Sequence, residues 1–172
     1  MKIRPRADAD LAACVLLAQD VHEADGYPVF VDERGLGPFV VNRAALAAWV
    51  APGDRELLGH VALHHASSSP AMGLAASATG WPPARLAVVA RLLVSPRAQG
   101  QGIGRALLET AAGHAAALGR WPVLDVVTSA AKAITLYEHA GWRRAGRVTV
   151  PLPGGPVLEE FVYLGPRPLR SA

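Results

Sequence analysis

The sequence predicts an α/β or α+β fold built around a mixed sheet. Strand-like and helix-like patterns alternate through the middle of the chain, and a hairpin-like pair of strands follows them. The run Leu86–Val94 is almost continuously apolar, which is typical of a central strand buried on both faces. A glycine-rich turn, Gly100–Gly104, and a helical pattern rich in alanine and leucine come directly after it. The sequence therefore predicts a tight turn between a buried strand and a helix.

The N-terminal part of the chain is expected to contain two helices and two strands. Apolar residues recur at helical spacing from Leu11 to Val21, and an aspartate before them can accept hydrogen bonds from the first helical turn. Residues alternate between two faces over Glu56–His65, as they do in a strand. The expected elements are, in chain order, a strand at Lys2–Arg4 that Pro5 ends, a helix capped by Asp8, a helix capped by Asn42 and running through Leu46 to Trp49 or Val50, a turn at Pro52–Arg55 and a strand at Glu56–His65.

The remainder of the chain is expected to begin with a loop. Ser67–Pro83 has little periodicity and is rich in serine, glycine and proline, so that it could flank a binding site. After this loop, Gly119 and Gly141 are in positions that would end two helices. The expected elements are, in order, a strand at Leu86–Val94, a helix at Gly102–Leu118, a strand at Val123–Val127, a helix at Ala130–Ala140 and two strands at Trp142–Val150 and Val157–Leu164.

Length and composition favour one globular domain. At 172 residues, we expect a single domain over residues 1–165 and a short tail over 166–172. No stretch approaches the roughly 18 uncharged apolar residues that a membrane span needs, and the N-terminus has no signal-peptide core. Cys14 is the single cysteine, which excludes an internal disulfide and fits a reducing compartment. We therefore expect a cytoplasmic protein.

The net charge of +3 is carried mainly by arginines that are scattered along the chain. A nucleic-acid interface would instead gather them into a basic stripe or patch. The excess of positive charge fits a polyanionic small molecule equally well.

The segment Arg97–Arg105 contains three glycines within five residues. Glycine lets the backbone turn tightly, so that several N–H groups can converge on one ligand. The turn also opens a helix, whose unpaired N–H groups and positive dipole end attract anions. The preferred ligand of such a turn is a phosphate or pyrophosphate.

Two common phosphate-binding motifs do not fit this turn. A Walker-type loop ends in Gly-Lys-Ser/Thr, whereas Gly104 is followed here by Arg105 and Ala106. A Rossmann fingerprint has the spacing Gly-x-Gly-x-x-Gly near the start of its unit, whereas this turn has Gly-x-Gly-x-Gly in mid-chain. Both interpretations are therefore disfavoured.

A third motif does fit. The segment Leu92–Leu108 resembles the acetyl-CoA-binding motif of the GCN5-related N-acetyltransferase (GNAT) superfamily, Gln/Arg-x-x-Gly-x-Gly/Ala, which is matched at Gln99, Gly102 and Gly104. Ala133–Trp142 is similar to the second signature of that family, in which a helix carries Leu-Tyr before Gly-Phe/Trp, and the N-terminal segment resembles the usual opening of stand-alone members. The resemblance implies a mixed, mostly antiparallel central sheet with helices on both faces and two splayed central strands.

The resemblance also implies where the donor and the catalytic groups lie. Tyr137 matches the tyrosine that meets the CoA sulfur and can serve as general acid. Asp125 falls where related ribosomal-protein acetyltransferases carry a glutamate that serves as general base. The residues expected to bind acetyl-CoA are Leu92, Leu93, Val94, Gln99, Gly100, Gln101, Gly102, Ile103, Gly104 and Arg105.

The chain departs from the family pattern at two positions. Many members carry a glutamate on the strand before the turn where this chain has Val88, and an asparagine of the second signature is replaced by Ala130. Asp125 is also one methylene shorter than glutamate, so either Asp125 through a bridging water or water alone could act as the base. The strand N–H near Leu93 is the expected oxyanion donor.

The sequence thus predicts acetyl transfer from acetyl-CoA to a primary amine of a small molecule or peptide through a ternary complex, without a metal. A protein N-terminus or an aminoacyl-tRNA is an alternative acceptor, and a non-catalytic acyl-CoA-binding or sensor module is an alternative of another class. A homodimer is possible, and a membrane partner is not expected. His60 and His64 share one face of the strand, and the sequence leaves both a structural and a functional role open for them.

Overall fold

The computed structural model describes residues 2–41 and 44–169. The helices are α1 Leu11–Asp25, α2 Leu36–Val40, α3 Pro70–Thr79, α4 Ile103–Ala117 and α5 Ala131–His139. The strands are β1 Arg4–Pro5, β2 Ala45–Pro52, β3 Leu57–His65, β4 Leu86–Val94, β5 Trp121–Val127, β6 Arg143–Pro151 and β7 Val157–Leu164. Short 3₁₀ turns lie at Asp8–Asp10, Pro83–Arg85 and Pro96–Ala98.

The seven strands form one mixed sheet in the order β1-β2-β3-β4-β5-β7-β6. Strand β4 pairs in parallel with β5, whereas the β1–β2, β5–β7 and β6–β7 pairs are antiparallel. The ladder between β4 and β5 takes in the first three residues of each strand, Leu86–Val88 and Trp121–Val123. The prediction of an α/β fold with a mixed, mostly antiparallel sheet is confirmed.

The chain divides into two compact units that are interleaved in sequence. The first comprises Met1–Leu63 and Arg91–Ala111, and the second comprises His64–Ala90 and Ala112–Ala172. In the first unit, α1 packs its apolar stripe against three strands and the end of α2. The buried residues of this core are Cys14, Leu17, Ala18, Val21, Val40, Val50, Leu57 and Leu93.

Cys14 lies inside that first core and makes no disulfide. Burial raises the pKa of its thiol to about 11, so the thiol is neutral at ordinary pH and packs as a small apolar group.

The core of the second unit lies between α3 and the sheet. Its buried members are Ala71, Met72 and Ala75 from α3 with Leu86, Val88, Trp121, Val123, Val162 and Leu164 from the strands. Gly146 of β6 leaves room for the Leu74 side chain of α3, because a Cβ added at this glycine would lie 3.0 Å from Leu74 Cδ2.

Several expectations for the chain before β4 are wrong, among them that Pro5 would end the first strand, since Pro5 lies within β1. Ala45–Pro52 is a strand rather than a helix, because it pairs with β1, with Arg4 opposite Val50 and Pro5 opposite Trp49. Its alanine and leucine residues favour a helix by propensity, and tertiary pairing overrides that weak preference. Asn42, the expected cap, lies outside the described residues.

The segment expected as a loop, Ser67–Pro83, contains α3. Ser69 caps this helix, since its side chain accepts a hydrogen bond from the Met72 N–H at 3.3 Å. Besides Met72, the buried residues of this helix are alanines, so its periodicity is faint in the sequence. The start of α1 is stabilised by Asp10 rather than by Asp8. The Asp10 carboxylate accepts a hydrogen bond from the Ala7 N–H at 2.7 Å and forms an ion pair with Arg4.

The strands and helices from Leu86 onward agree with the prediction to within about two residues at each end, as does β3. In residues 2–41 and 44–169, no helix is long and apolar enough to cross a membrane.

Gly59 of β3 sets how closely α4 can pack on the first unit. A Cβ at this position would lie 2.6 Å from Leu107 Cδ1, 3.0 Å from Ile103 Cγ2 and 3.1 Å from the Leu93 carbonyl oxygen. We expect Gly59→Ala to lower the free energy of unfolding by about 1–3 kcal/mol, because the helix and a strand carbonyl must both shift. Denaturant titration measures this loss.

Gly113→Ala in α4 is the matched control. No atom lies within 4 Å of a Cβ built there, and alanine favours a helix, so this change should raise stability by up to about 1 kcal/mol. Equal stability of Gly59→Ala and the unaltered chain would contradict the packing described at β3.

Candidate active site

The glycine-rich turn has the backbone that anion binding requires. Gly100 and Gly102 have φ values of +78° and +81°, a region that residues with a Cβ rarely adopt. Helix α4 begins immediately afterwards at Ile103, and Ala106 is bonded through its N–H to the Gly102 carbonyl at 3.0 Å. The N–H groups of the preceding residues of the first turn have no carbonyl partner within the helix. They form a fixed set of donors at the positive end of the helix dipole.

The polar side chains around this turn are tied to the first unit. The Gln99 amide donates to Asp25 Oδ2 at the end of α1 at 2.6 Å. Arg97 lies 3.6 Å from Glu56, and Arg105 pairs with Glu109 at 2.8 Å one helical turn further on. These arginines are largely exposed, so their ion pairs are weak and can exchange for a phosphate oxygen.

Strand β4 changes its backbone conformation at Arg91, just before the predicted pantetheine-binding residues. Arg91 has φ +51°, the left-handed region that a residue with a long side chain rarely occupies. Its guanidinium is held by the Phe39 carbonyl, to which Nε donates at 2.7 Å, and it lies 5.1 Å from the centre of the Phe39 ring. The strain is thus compensated by specific contacts with the end of α2.

His60 holds the same point of β4 from the neighbouring strand. Its ring is fully buried, with Nδ1 2.9 Å from the Arg91 carbonyl oxygen and Nε2 3.0 Å from Arg6 Nη1. Since an arginine can only donate, Nε2 accepts and Nδ1 carries the hydrogen that is donated to Arg91. Burial, with smaller contributions from the two arginines, lowers the pKa of His60 to about 4. His60 is therefore a neutral support of the strand backbone, and its role is structural.

Tyr137 lies in the second unit, near the end of α5. Its side chain is almost fully buried, with ring centres 5.9 Å from Tyr163 and 6.3 Å from Trp142. A three-residue network fixes the helix: Glu138 Oε1 accepts from Tyr163 at 2.8 Å and from Arg144 at 2.7 Å. These two hydrogen bonds lower the pKa of Glu138, which keeps the network charged.

Asp125 lies in β5 with an exposed side chain. The β5–β7 register sets Asp125 opposite Val162 and sets Val127 opposite Glu160. Asp125 and Glu160 are therefore diagonal neighbours on one face of the two strands. A side-chain hydrogen bond joins the two carboxyl groups.

The two predicted catalytic residues occupy opposite faces of the same pair of strands. Leu124 pairs with Tyr163, whose ring packs against Tyr137, whereas Asp125 points to the other face because successive strand residues alternate. The predicted acetyl-CoA-binding residues form one continuous segment of the first unit, running from β4 through the turn into α4.

Glu160 is the functional candidate that the motifs do not reveal. The apolar face of β7 is formed by Leu158, Val162 and Leu164, and Glu160 has the same parity. A glutamate in an otherwise apolar alternation is the signal that could have identified it. No group of three His, Cys, Asp or Glu side chains suited to a metal ion occurs within residues 2–41 and 44–169.

A family profile described as the acetyltransferase (GNAT) domain matches residues 44–144. None of the curated proteins compared matches the chain.

Three solved structures have a similar fold. The ribosomal-protein-S18-alanine N-acetyltransferase from Escherichia coli is 20% identical, with a TM-score of 0.69, 99% of this chain covered and 96% of that one. The yncA protein from Salmonella typhimurium with acetyl-CoA is 18% identical, with a TM-score of 0.72 and coverage of 100% and 96%. NAA60 from Arabidopsis thaliana in complex with acetyl-CoA is 22% identical, with a TM-score of 0.68 and coverage of 95% and 96%.

Proposed function

The chain belongs to the GNAT acetyltransferase family and is an N-acetyltransferase with acetyl-CoA as donor, and we propose that it acetylates a primary amine of a small molecule or peptide within a ternary complex. The observation that carries this proposal is the turn at Gly100 and Gly102, whose positive φ values leave N–H donors at the start of α4. Donors fixed in this way fit a pyrophosphate, the most highly charged part of CoA near its adenosine end.

The rest of the donor site follows from the same segment. Leu92, Leu93 and Val94 offer strand backbone groups to the pantetheine arm, and Arg91 and His60 fix the strand just before them. Gln99 through Arg105 hold the pyrophosphate. Bound acetyl-CoA supplies a thioester that is open to attack by an amine and a thiol that is a good leaving group. The N–H near Leu93 stabilises negative charge on the carbonyl oxygen.

Asp125 receives the proton that the acceptor amine loses. Its exposed carboxylate attracts an ammonium group and can accept the proton directly or through one water. The amine nitrogen and the sulfur are bonded to the same carbon in the tetrahedral intermediate and need a base and an acid respectively, so the reaction calls for a second group beside Asp125.

Tyr137 protonates the departing sulfur. A phenol has a reference pKa near 10 and is protonated at neutral pH, so it can donate. The Glu138–Arg144–Tyr163 network fixes the helix that carries it.

We expect Tyr137→Phe to lower kcat by about 10²-fold, near the lower end of general acid catalysis, because a thiol already leaves readily. CoA release in the presence of an accepted amine measures the effect, and acetyl-CoA affinity should be unchanged. Tyr163→Phe removes a hydroxyl bound to Glu138 and Arg144 and so measures separately how much the network that fixes α5 contributes. An unchanged kcat in Tyr137→Phe would contradict the assigned acid.

Protein N-termini are the second candidate acceptor. Two of the similar folds, named as a ribosomal-protein-alanine N-acetyltransferase and as NAA60 solved with a bisubstrate analogue, favour including peptides beside small amines in the acceptor panel. A non-catalytic acyl-CoA-binding module would instead bind acetyl-CoA and release no CoA with any amine.

A further inference from the structure

Glu160 is a buried acid in an apolar setting, and the reaction as described gives it no part. Only 8% of the residue is exposed, and its Oε2 is buried without a hydrogen-bond partner among the described residues. A buried acceptor without a partner is costly, so its presence calls for an explanation. The carboxyl group of Asp125 is its polar neighbour.

Among the described residues, none of those directly opposite Glu160 on β5 and β6 and none in α3 carries a positive charge. Helix α3, which packs against β6 and β7, contains no ionisable residue. Val148 of β6 and Val127 of β5 lie directly opposite Glu160. Arg147 is adjacent along β6 but pairs with Glu159, which has the opposite parity on β7.

The Glu160 carboxyl group consequently stays protonated to a higher pH than an ordinary glutamate does. Burial, and then the charge and the hydrogen bond of Asp125, raise the pKa of Glu160 to about 8. At neutral pH Glu160 therefore keeps its proton beside Asp125.

We propose that Glu160 is a positioning residue for the acetyl transfer, acting through Asp125 so that the carboxyl pair together accepts the proton released by the acceptor ammonium. This inference rests on the proposed function, because it concerns the base of that reaction. Asp125 is exposed, whereas Glu160, its diagonal neighbour on β7, is buried.

If Asp125 acted alone, the pKa of the base would lie far below the pKa of the acceptor ammonium, and Glu160 reduces this difference. An isolated aspartate has a reference pKa of about 3.9, whereas the ammonium groups of peptides and lysines have values of about 7.7–10.4, so proton transfer to a lone aspartate is strongly uphill. A base is most effective when its pKa lies near the working pH. The doubly ionised pair meets that condition.

The proton balance of the step is simple. An N–H bond of the ammonium breaks and leaves its electron pair on nitrogen, while an O–H bond forms on the carboxyl pair. The charge of the pair changes from −2 to −1, and the proton is then shared in the Asp125–Glu160 hydrogen bond. Because the doubly ionised pair attracts positive charge, it favours protonated primary amines over neutral acceptors.

Carboxyl ¹³C NMR of the ligand-free protein, labelled at Asp and Glu, tests the pair without activity. We expect the Glu160 carboxyl signal to titrate near pH 8 in the unaltered protein and this titration to be absent in Glu160→Gln. Glu159→Gln, the neighbouring residue on the opposite face, should keep it. If no carboxyl of the unaltered protein titrates above about pH 6, the proposal is overturned, whether or not the variants fold.

The pH profile of kcat/KM tests the link to catalysis. We expect kcat/KM to rise with pH through about 8 for two accepted amines of different pKa, because this limb belongs to the enzyme. Glu160→Gln should remove the limb and lower kcat/KM at pH 8 by about 10- to 10²-fold, while Glu159→Gln should leave it unchanged.

The outcomes separate the two proposals. Transfer that retains the same limb in Glu160→Gln overturns the role of Glu160 and leaves the acetyltransferase in place. If the midpoint of the pH profile of kcat/KM follows the pKa of the amine, the role of Glu160 is likewise overturned and the acetyltransferase is left in place. Absence of transfer to any amine overturns the proposed function, and the role of Glu160 with it.

Discussion

Asp125→Asn should lower kcat/KM for an accepted amine by about 10²–10³-fold, the range expected when a general base is removed. The amide has nearly the shape of the carboxylate but cannot accept the proton. Acetyl-CoA affinity should be unchanged, because the predicted donor-binding residues lie in a different segment, from β4 into α4. Steady-state kinetics, with acetyl-CoA binding measured by calorimetry, test both statements.

The size of the loss should depend on the acceptor. A lysine-like amine, with a reference pKa of about 10.4, costs about 4–5 kcal/mol to deprotonate at pH 7, whereas an α-amine of about 7.7–8.0 costs about 1 kcal/mol. Asp125→Asn should therefore harm lysine-like acceptors more. An equal, small loss for both classes would mean that water alone acts as the base, which would contradict the role of Asp125.

Lowering the pH from about 6.5 to about 4 should reduce the free energy of unfolding by about 3 kcal/mol through His60 alone. Burial lowers the pKa of His60 to about 4 in the folded protein. Between these pH values the unfolded chain binds a proton that the folded chain refuses, so stability falls as the pH falls. The effect is complete below the folded pKa and absent above the unfolded one.

Denaturant titrations at several pH values measure this dependence against His60→Asn. The asparagine amide can still donate to the Arg91 carbonyl but does not titrate, so the difference between the two proteins isolates His60. Glu160 and Asp10 also change stability with pH: the raised pKa of Glu160 removes stability as the pH rises, and the pKa of Asp10, lowered to about 2, acts below the His60 window. Both contributions cancel in the comparison.

The exposed His65 provides the control, since His65→Asn should keep the dependence of the unaltered protein. A difference between His60→Asn and the unaltered protein that does not change between pH 7 and pH 4 would contradict a buried, neutral His60.

The centre of the fold could be predicted because local pattern and tertiary environment agree there. Leu86–Val94 is apolar on both sides because it lies within the sheet, and the glycines of the turn occupy conformations that other residues avoid. The helix after the turn has a clear apolar stripe. In such segments the local sequence pattern is sufficient to predict the element.

The errors arise where tertiary contacts outweigh local preference. Ala45–Pro52 favours a helix by composition but becomes a strand because β1 pairs with it. Helix α3 buries two alanines and only one large side chain, Met72, so its hydrophobic signal is weak and resembles that of a loop. The partnership of Asp125 with Glu160 depends on the register of two distant strands, which one sequence does not reveal, and the role of His60 depends on the backbone of Arg91.

Acetyl transfer by the purified protein is the most direct test of the central claim. The protein would be incubated with acetyl-CoA and a panel of small amines, lysine-containing peptides and peptides with free α-amines, with CoA release and acetylated product quantified together. We expect at least one primary amine to gain one acetyl group for each CoA released, and Gly102→Val, which blocks the left-handed turn, to weaken acetyl-CoA binding. Tight binding of acetyl-CoA with no product from any amine would contradict it.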